Sequence, residues 1–459
     1  MIPSFFFEEM HKLSKVRTSL QPHQQRVVDR IQAQSGLVVA HGLGSGKTLS
    51  SIAAGELGGG VAVVPASLQE NYLKEQAKHL TGAAKVRVMS LQKAVSSGNV
   101  PSSPMLIVDE AHRARNPSSQ TYKVLKNTKA TKRLMLTASP MYNAPEDIAS
   151  VVNLAAGEKV LPEGRAFRQE YIAGPPKGIW GMMPWARKRD ALVRTGSLKP
   201  VLEKWVDFHP SSGADFPSKV ETRVKVPMTR RQTDLHDAAW GQLSWLSKMR
   251  LRQGLPPGKE DLAKINQFQS QARQIGGSET RFGGEETSPK VLEAVNSVAQ
   301  RIQKDGTHKA LVYSNYLDTL DSYAGELKKR NISHGTFTGK VSKKEKKRMI
   351  VDFNKGKIKA LLVSSAGGEG LDLKGTRQVQ VLEPHWNDEK IEQVIGRAAR
   401  HGSHRHLPED KRNVYVQKFE AVPLSRRIGV EQVLAERSEH KRLLKQDLLR
   451  LLKRKKPPQ

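Results

Sequence analysis

Leu37-Val38-Val39-Ala40-His41-Gly42-Leu43-Gly44-Ser45-Gly46-Lys47-Thr48-Leu49 reads as an apolar run, a glycine-rich turn and the opening of a helix. Strand, loop and helix in that order aim backbone N–H groups and the positive end of the helix at an anion. Gly42, Gly44, Ser45 and Gly46 would line a phosphate in such a loop, Lys47 would reach the β- and γ-phosphates, and the Thr48 hydroxyl would face Mg²⁺. The strict pattern places Gly where this chain has His41. Glycine-rich turns also precede helices for structural reasons alone, so the loop by itself leaves both readings open.

A second element sharpens the first. Met105–Val108 is an apolar run ending in Asp109-Glu110-Ala111-His112, and the carboxyl ends of parallel strands are where α/β sheets collect ligands. Asp109 would belong to the Mg²⁺ shell, and Glu110 would polarise an attacking water. The plainer alternative, an acidic first turn of a solvated helix, loses weight beside the glycine loop.

Working outward, short β-type runs recur at Leu37–Ala40, Val61–Val64, Val86–Val88, Met105–Val108 and Leu134–Leu136, with helical stretches between them. A second series follows at Ala310–Tyr313, Thr336–Phe337, Ala360–Val363, Val379–Leu382 and Val414–Val416. Near-continuous apolar strands alternating with helices predict an α/β fold with two parallel sheets, each covered on both faces. Residues 155–290 lack that pattern, hold most of the tryptophans, and are expected to form a helical insertion with turns at Gly276-Gly277 and Gly283-Gly284. The tail from 426 to 459 is expected to be a basic amphipathic helix with Leu443, Leu444, Leu448, Leu451 and Leu452 on one face. The expected divisions are therefore 1–154, 155–290, 291–425 and 426–459.

Composition bounds the partners. The chain has 459 residues, with 76 Lys and Arg against 45 Asp and Glu, a net charge of +31, and no cysteine. Disulfides, thiolate metal sites and thiol nucleophiles are excluded. A positive field of this size suits a polyanion. No apolar run approaches the ~18 residues of a membrane span, and Phe5-Phe6-Phe7 runs into Glu8-Glu9 rather than a signal-peptide core. The expectation is a soluble intracellular protein without a membrane span.

The order of these strings resembles superfamily 2 helicases. Lys47-Thr48, Asp109-Glu110-Ala111-His112 and Thr137-Ala138-Ser139-Pro140 are similar to motifs I, II (DEAH box) and III; Ser365 to Leu373 is similar to motif V, and Gln393-Val394-Ile395-Gly396-Arg397-Ala398-Ala399-Arg400 to motif VI. Leu20-Gln21-Pro22-His23-Gln24, Val64 to Leu68 and Glu383-Pro384-His385-Trp386-Asn387 resemble elements of the Swi/Snf-like branch of double-strand translocases. The resemblance implies two RecA-like domains in tandem and ATP hydrolysis with Mg²⁺. It places Gln24 on the adenine, and Gly370, Asp372 and Gln393 at the nucleotide. It casts Arg397 and Arg400, three apart on a predicted helix, as charge-neutralising fingers, and nominates Ser67, Ser365 and Gly367 as contacts to nucleic acid. The partner implied is nucleic acid, foremost double-stranded DNA, with a protein partner for the C-terminal helix as a further option. Two departures stand out. His41 occupies a position where that superfamily usually has Ala or Gly, and motif III reads Thr-Ala-Ser-Pro rather than Thr-Gly-Thr-Pro. Strand-separating helicases of DNA or RNA, and a non-catalytic nucleic-acid clamp, are the alternatives.

Overall fold

Apolar runs too short for helices and buried on both faces have one stable outcome, a parallel sheet sandwiched by the helices that connect its strands. The computed structural model describes residues 16–174, 190–210, 216–252, 262–284, 286–339, 341–364, 372–384, 388–425, 427 and 429–452. The chain divides into two units, Met1–Ser211 with His440–Gln459, and Ser212–Glu439.

In the first unit the elements are α1 (Pro22–Ala33), β1 (Gly36–His41), α2 (Lys47–Glu56), β2 (Gly60–Val64), α3 (Ala66–His79), β3 (Val86–Ser90), α4 (Leu91–Ser97), β4 (Ser103–Val108), α5 (Gln120–Asn127), β5 (Ala130–Thr137), α6 (Asp147–Ala156), α7 (Arg165–Tyr171), α8 (Thr195–Trp205) and β6 (Val206–His209). The sheet order is β3-β2-β4-β5-β1-β6, and the pairings are parallel. Alternate residues supply the two faces: Val38, Ala40, Leu106, Val108 and Met135 belong to one apolar cluster, and Leu37, Val39, Ile107, Leu134 and Leu136 to the other. The carboxyl ends of β4, β5 and β1, three neighbouring strands, therefore open on one edge.

The second unit repeats the principle with β7 (Ser218–Pro227), α9 (Arg230–Gly241), α10 (Trp245–Arg252), α11 (Leu262–Gly277), α12 (Pro289–Lys304), β8 (Ala310–Ser314), α13 (Leu317–Lys329), β9 (His334–Phe337), α14 (Lys343–Asn354), β10 (Ala360–Ser364), β11 (Gln378–Val381), α15 (Asp388–Ala398) and β12 (Asn413–Val422). Its sheet order is β9-β10-β8-β11-β12-β7, again with parallel pairings. Every strand expected from the sequence is present in these two sheets.

The stretch 155–290 differs from the helical insertion expected of it. It gives an edge strand to each sheet: β6 lies beside β1, and β7 pairs with β12 along its full length. Gly276-Gly277 is not a turn but the end of α11. A Cβ on Gly277 would come within 2.4 Å of Thr319 Oγ1, and one on Gly276 within 2.8 Å of the Ala421 Cβ, so both positions serve close packing. Gly283, at φ 76°, does form a turn. Trp205 and Trp240 are buried, whereas Trp245 is 73% exposed; Trp180 and Trp185 lie outside the described residues.

Within the described part of the tail the chain forms one helix, α16 (Val430–Leu452), and residues 453–459 lie outside the described residues. Leu444, Leu448 and Leu452 are buried in the first unit's core cluster, so its leucine face is occupied within the chain. Among the described residues no helix is long and apolar enough to cross a membrane.

Candidate nucleotide site and nucleic-acid contacts

The glycine loop sits where the strand–loop–helix reading puts it. Gly44 and Gly46 have φ of 78° and 76°, a left-handed backbone that L side chains resist, and Gly46 caps α2 directly before Lys47. The Lys47 ammonium donates to the His41 carbonyl at 2.8 Å and the Gly42 carbonyl at 3.0 Å, holding its charge at the mouth of the loop. Helix α1 closes the loop from the side: Gln24 Nε2 donates to Ser45 O at 3.2 Å and Gly46 O at 3.4 Å, and His23 Nε2 donates to Ser45 O at 2.8 Å.

The acidic pair follows β4 on the same edge. Asp109 N donates to Val63 O at 2.9 Å, continuing the ladder by one bond before the chain turns at Glu110, whose φ is 51°. Crowding by protein atoms, helped by the adjacent Glu110 charge, pushes the Asp109 carboxyl up to about 6, with Lys47 opposing. A carboxyl raised this way in a cationic loop is one that a bound cation would draw back into the charged form. The Thr48 hydroxyl makes no hydrogen bond among the described residues. An all-oxygen pair of this kind fits a hard cation such as Mg²⁺.

The third motif is joined to the second. His112 Nδ1 lies 3.2 Å from Thr137 Oγ1 and 3.3 Å from Glu110 Oε2. Thr137 Oγ1 also accepts from Ser139 N at 3.0 Å. The His112 ring stacks flat on Tyr142, centroids 4.5 Å apart, and the Arg115 guanidinium covers Tyr142 at 4.9 Å. The structure thus gathers Gln24, the glycine loop, Lys47, Thr48, Asp109, Glu110 and Thr137 along one sheet edge.

In the second unit, Gln393 and Arg397 lie on α15. Arg400, expected on the same helix face, is instead beyond its end. The helix stops at Ala398 because the Ser403 hydroxyl takes over: it accepts from Arg400 N at 3.2 Å and donates to Arg400 O at 2.7 Å, while Gly402 turns the chain at φ 70°. The Arg400 guanidinium is 3.6 Å from Asp372 Oδ1. Burial, with the neighbouring Arg397 charge, pulls it down to about 10. Arg400 therefore meets Asp372, with the Arg397 charge nearby, instead of sharing a helix face with Arg397. Ser67 is exposed in the first turn of α3. Ser365, Gly367, Gly370 and the His385-Trp386-Asn387 string lie outside the described residues.

Sequence reasoning passed over one group beside the loop. Asp207 on β6 is 1% exposed and accepts from His41 Nε2 at 2.7 Å and from Arg26 Nε at 2.8 Å. His209 stacks flat on His23, centroids 4.0 Å apart. The alternation of Val206-Asp207-Phe208-His209 was the available signal for this strand, but four residues inside a helical context are too few to stand out.

Two family descriptions match the chain: an SNF2-related domain over residues 88–279 and the Helicase conserved C-terminal domain over residues 291–402. The chain belongs to the Swi/Snf-like branch of the superfamily 2 helicases. It is an SNF2-family, helicase-like ATPase that binds nucleic acid. The SNF2-related match begins after the glycine loop, so that loop stands on its own geometry. A protein of Acanthamoeba polyphaga mimivirus named as an ATP-dependent RNA helicase is 27% identical over 92% of this chain and 94% of its own length. The RAD54-like DNA repair and recombination protein of Drosophila erecta is 24% identical over 75% of this chain, which spans 46% of that protein. The ATP-dependent helicase YqhH of Bacillus subtilis is 25% identical over 84% of this chain and 73% of its own length. The helicase domain of Pyrococcus furiosus Hef shares the fold with a TM-score of 0.50, at 16% identity, over 89% of this chain and 96% of that one.

Proposed function

We propose that this SNF2-family ATPase is a translocase that tracks along double-stranded DNA without fully separating its strands. The observation that carries the reading is the gathering of the loop, the acidic pair and the Thr137 loop on one sheet edge. Lys47 binds and orients the β- and γ-phosphates, and Gln24 takes the adenine. Thr48 and Asp109 would hold Mg²⁺, which when bound would supply neutralisation of the phosphate charge. Glu110, steered by His112, accepts the proton of the attacking water.

Arg397 and Arg400 belong to the other unit in sequence. In the resembled family these arginines act on the nucleotide held by the first domain, where such a finger contributes roughly 10³–10⁵ in rate. Carried over to this chain, a γ-phosphate engaged by Lys47 and by Arg400 favours one arrangement of the two units, and its loss on hydrolysis releases that preference. Alternating grip on a phosphate backbone then becomes directed movement. Ser67, Ser365 and Gly367 are proposed backbone contacts, which position the protein without reading sequence. The net charge of +31 supplies the long-range attraction.

The duplex-DNA preference draws on the SNF2-related match and on the DNA repair and recombination relatives. The mimivirus relative, aligned over nearly its whole length and named for RNA, favours a second reading as an RNA helicase. ATPase rates measured in parallel with duplex DNA, single-stranded DNA and RNA separate the two. Duplex DNA gives the largest stimulation under the first reading, and RNA does under the second.

A further inference from the structure

We infer that Asp207, which lies outside all the helicase-like motifs, is a positioning residue for the nucleotide site, tying the Gln24 helix and the glycine loop to one buried carboxylate. Its two oxygens accept four hydrogen bonds. Arg26 donates from Nε at 2.8 Å and Nη2 at 2.7 Å, Arg30 from Nη1 at 3.1 Å, and His41 from Nε2 at 2.7 Å. Arg26 and Arg30 are one turn apart on α1, the helix whose first turn carries His23 and Gln24. His41 is the last residue of β1, directly ahead of Gly42. One side chain therefore holds both walls of the cradle.

The backbone around Asp207 repeats the attachment. Arg30 Nη1 also donates to Val206 O at 2.9 Å, Arg26 Nη2 reaches Phe208 O at 3.4 Å, and Gly42 N donates to His209 O at 2.8 Å. At the far end of the cradle the tolerance is small, because a Cβ on Gly46 would lie 2.3 Å from Gln24 Nε2. A slight rotation of α1 would move Gln24 and His23 off the Ser45 carbonyl. Long, partly buried arms ending in guanidinium groups resist such a rotation only while their carboxylate is in place.

This hub accounts for the departure at position 41. A histidine in place of a small residue is accommodated because its Nε2–H has a buried acceptor, while Nδ1 is fully enclosed with no hydrogen-bond partner among the described residues. That pattern is a neutral ring with its proton on Nε2. Burial lowers the His41 proton affinity in agreement. For Asp207, burial alone would raise the carboxyl, but the hydrogen bonds from Arg26 and His41 hold it below the usual carboxylate range. Without the carboxylate, two guanidiniums and one imidazole N–H at the base of the site lose their common acceptor.

The test uses the full chain and rests on the ATPase reading, which wild-type turnover and its loss in Lys47→Ala establish separately. Asp207→Asn keeps the volume and removes the charge. The expected result is a KM for ATP raised at least tenfold with kcat within threefold, and a kcat/KM preference for ATP over GTP reduced at least fivefold as Gln24 loses its placement. Arg26→Gln, whose side chain is one-third exposed, should raise KM three- to tenfold, and the double variant should be no worse than Asp207→Asn alone. A lower melting temperature with KM and the ATP:GTP ratio unchanged would mean a purely structural role and overturn the inference, as would additive effects in the double variant. Should Asp207→Asn fail to fold, Arg26→Gln decides: an unchanged KM and unchanged ratio overturn the inference equally.

Discussion

His112 Nδ1 stands 3.2 Å from the Thr137 hydroxyl, joining the loop after β4 to the loop after β5. The same nitrogen faces Glu110 Oε2 at 3.3 Å, and the ring is pinned flat against Tyr142. The carboxylate proposed to activate water is thus aimed through an imidazole whose own orientation depends on Thr137.

Thr137→Val keeps the shape of that side chain and removes its polar contact to His112 and to Ser139 N. Loss of a single orienting hydrogen bond of this kind costs about 1–1.5 kcal/mol, close to a tenfold fall in kcat, with KM for ATP unchanged. Steady-state ATPase kinetics check it, and a changed KM with normal kcat would contradict it.

Lys47→Ala and Glu110→Gln should fail in different ways. Without Lys47 the phosphates lose their only ammonium among the described residues of the loop, so binding of a fluorescent ATP analogue collapses along with turnover. Glu110→Gln should bind that analogue normally while turnover falls by roughly 10²–10⁴, the usual size of a general-base contribution. Equal binding defects in both variants would remove the division of labour.

Arg400→Ala should lower nucleic-acid-stimulated kcat by about 10³ or more if the residue neutralises the transferring phosphoryl group. Arg400→Lys should restore little, because an ammonium lacks the planar fork of donors. Wild-type turnover in either variant would show that the Arg397–Arg400–Asp372 cluster is structural.

Acid should destabilise the second unit. His308 and His404 are buried, and burial pulls both down to about 4. Their unfolded value is near 6.5. Between these values the unfolded chain binds more protons, so stability falls as pH drops from about 6.5 toward 4, by roughly 2 kcal/mol per histidine at pH 5. Urea melts at pH 7 and pH 5 measure this, and His404→Gln should shrink the difference between the two. A difference as large as the wild type's in His404→Gln would assign the acid sensitivity elsewhere.

Much of the fold was readable because it depends on a robust pattern. Buried parallel strands such as Val61–Val64 and Ala360–Val363 are near-continuous apolar runs, and every one of these was found. The edge strands β6 and β7 escape that pattern, whereas the opposite edges β3 and β9 follow it. Ser218–Pro227 is exposed along most of its length, so its alternating Val220, Thr222, Val224 and Val226 were diluted by charge. The glycine loop and acidic pair were legible since backbone geometry restricts which residues can stand there. Asp207 was not, because a carboxylate in a short strand looks the same in sequence whether it faces water or gathers two arginines and a histidine. Arg400 was expected on α15 but lies past its end, since where that helix stops depends on the Ser403 hydroxyl three residues later.

Movement along intact duplex is the central claim, and displacement of a third strand tests it most directly. A labelled oligonucleotide paired as a triplex on linear DNA should be released by the wild-type chain with ATP, with the underlying duplex left paired. Release should vanish in Glu110→Gln and weaken steeply with salt, as phosphate-based grip requires. No ATP-dependent release of the third strand despite vigorous DNA-stimulated ATP hydrolysis, or separation of the duplex itself, would contradict the account.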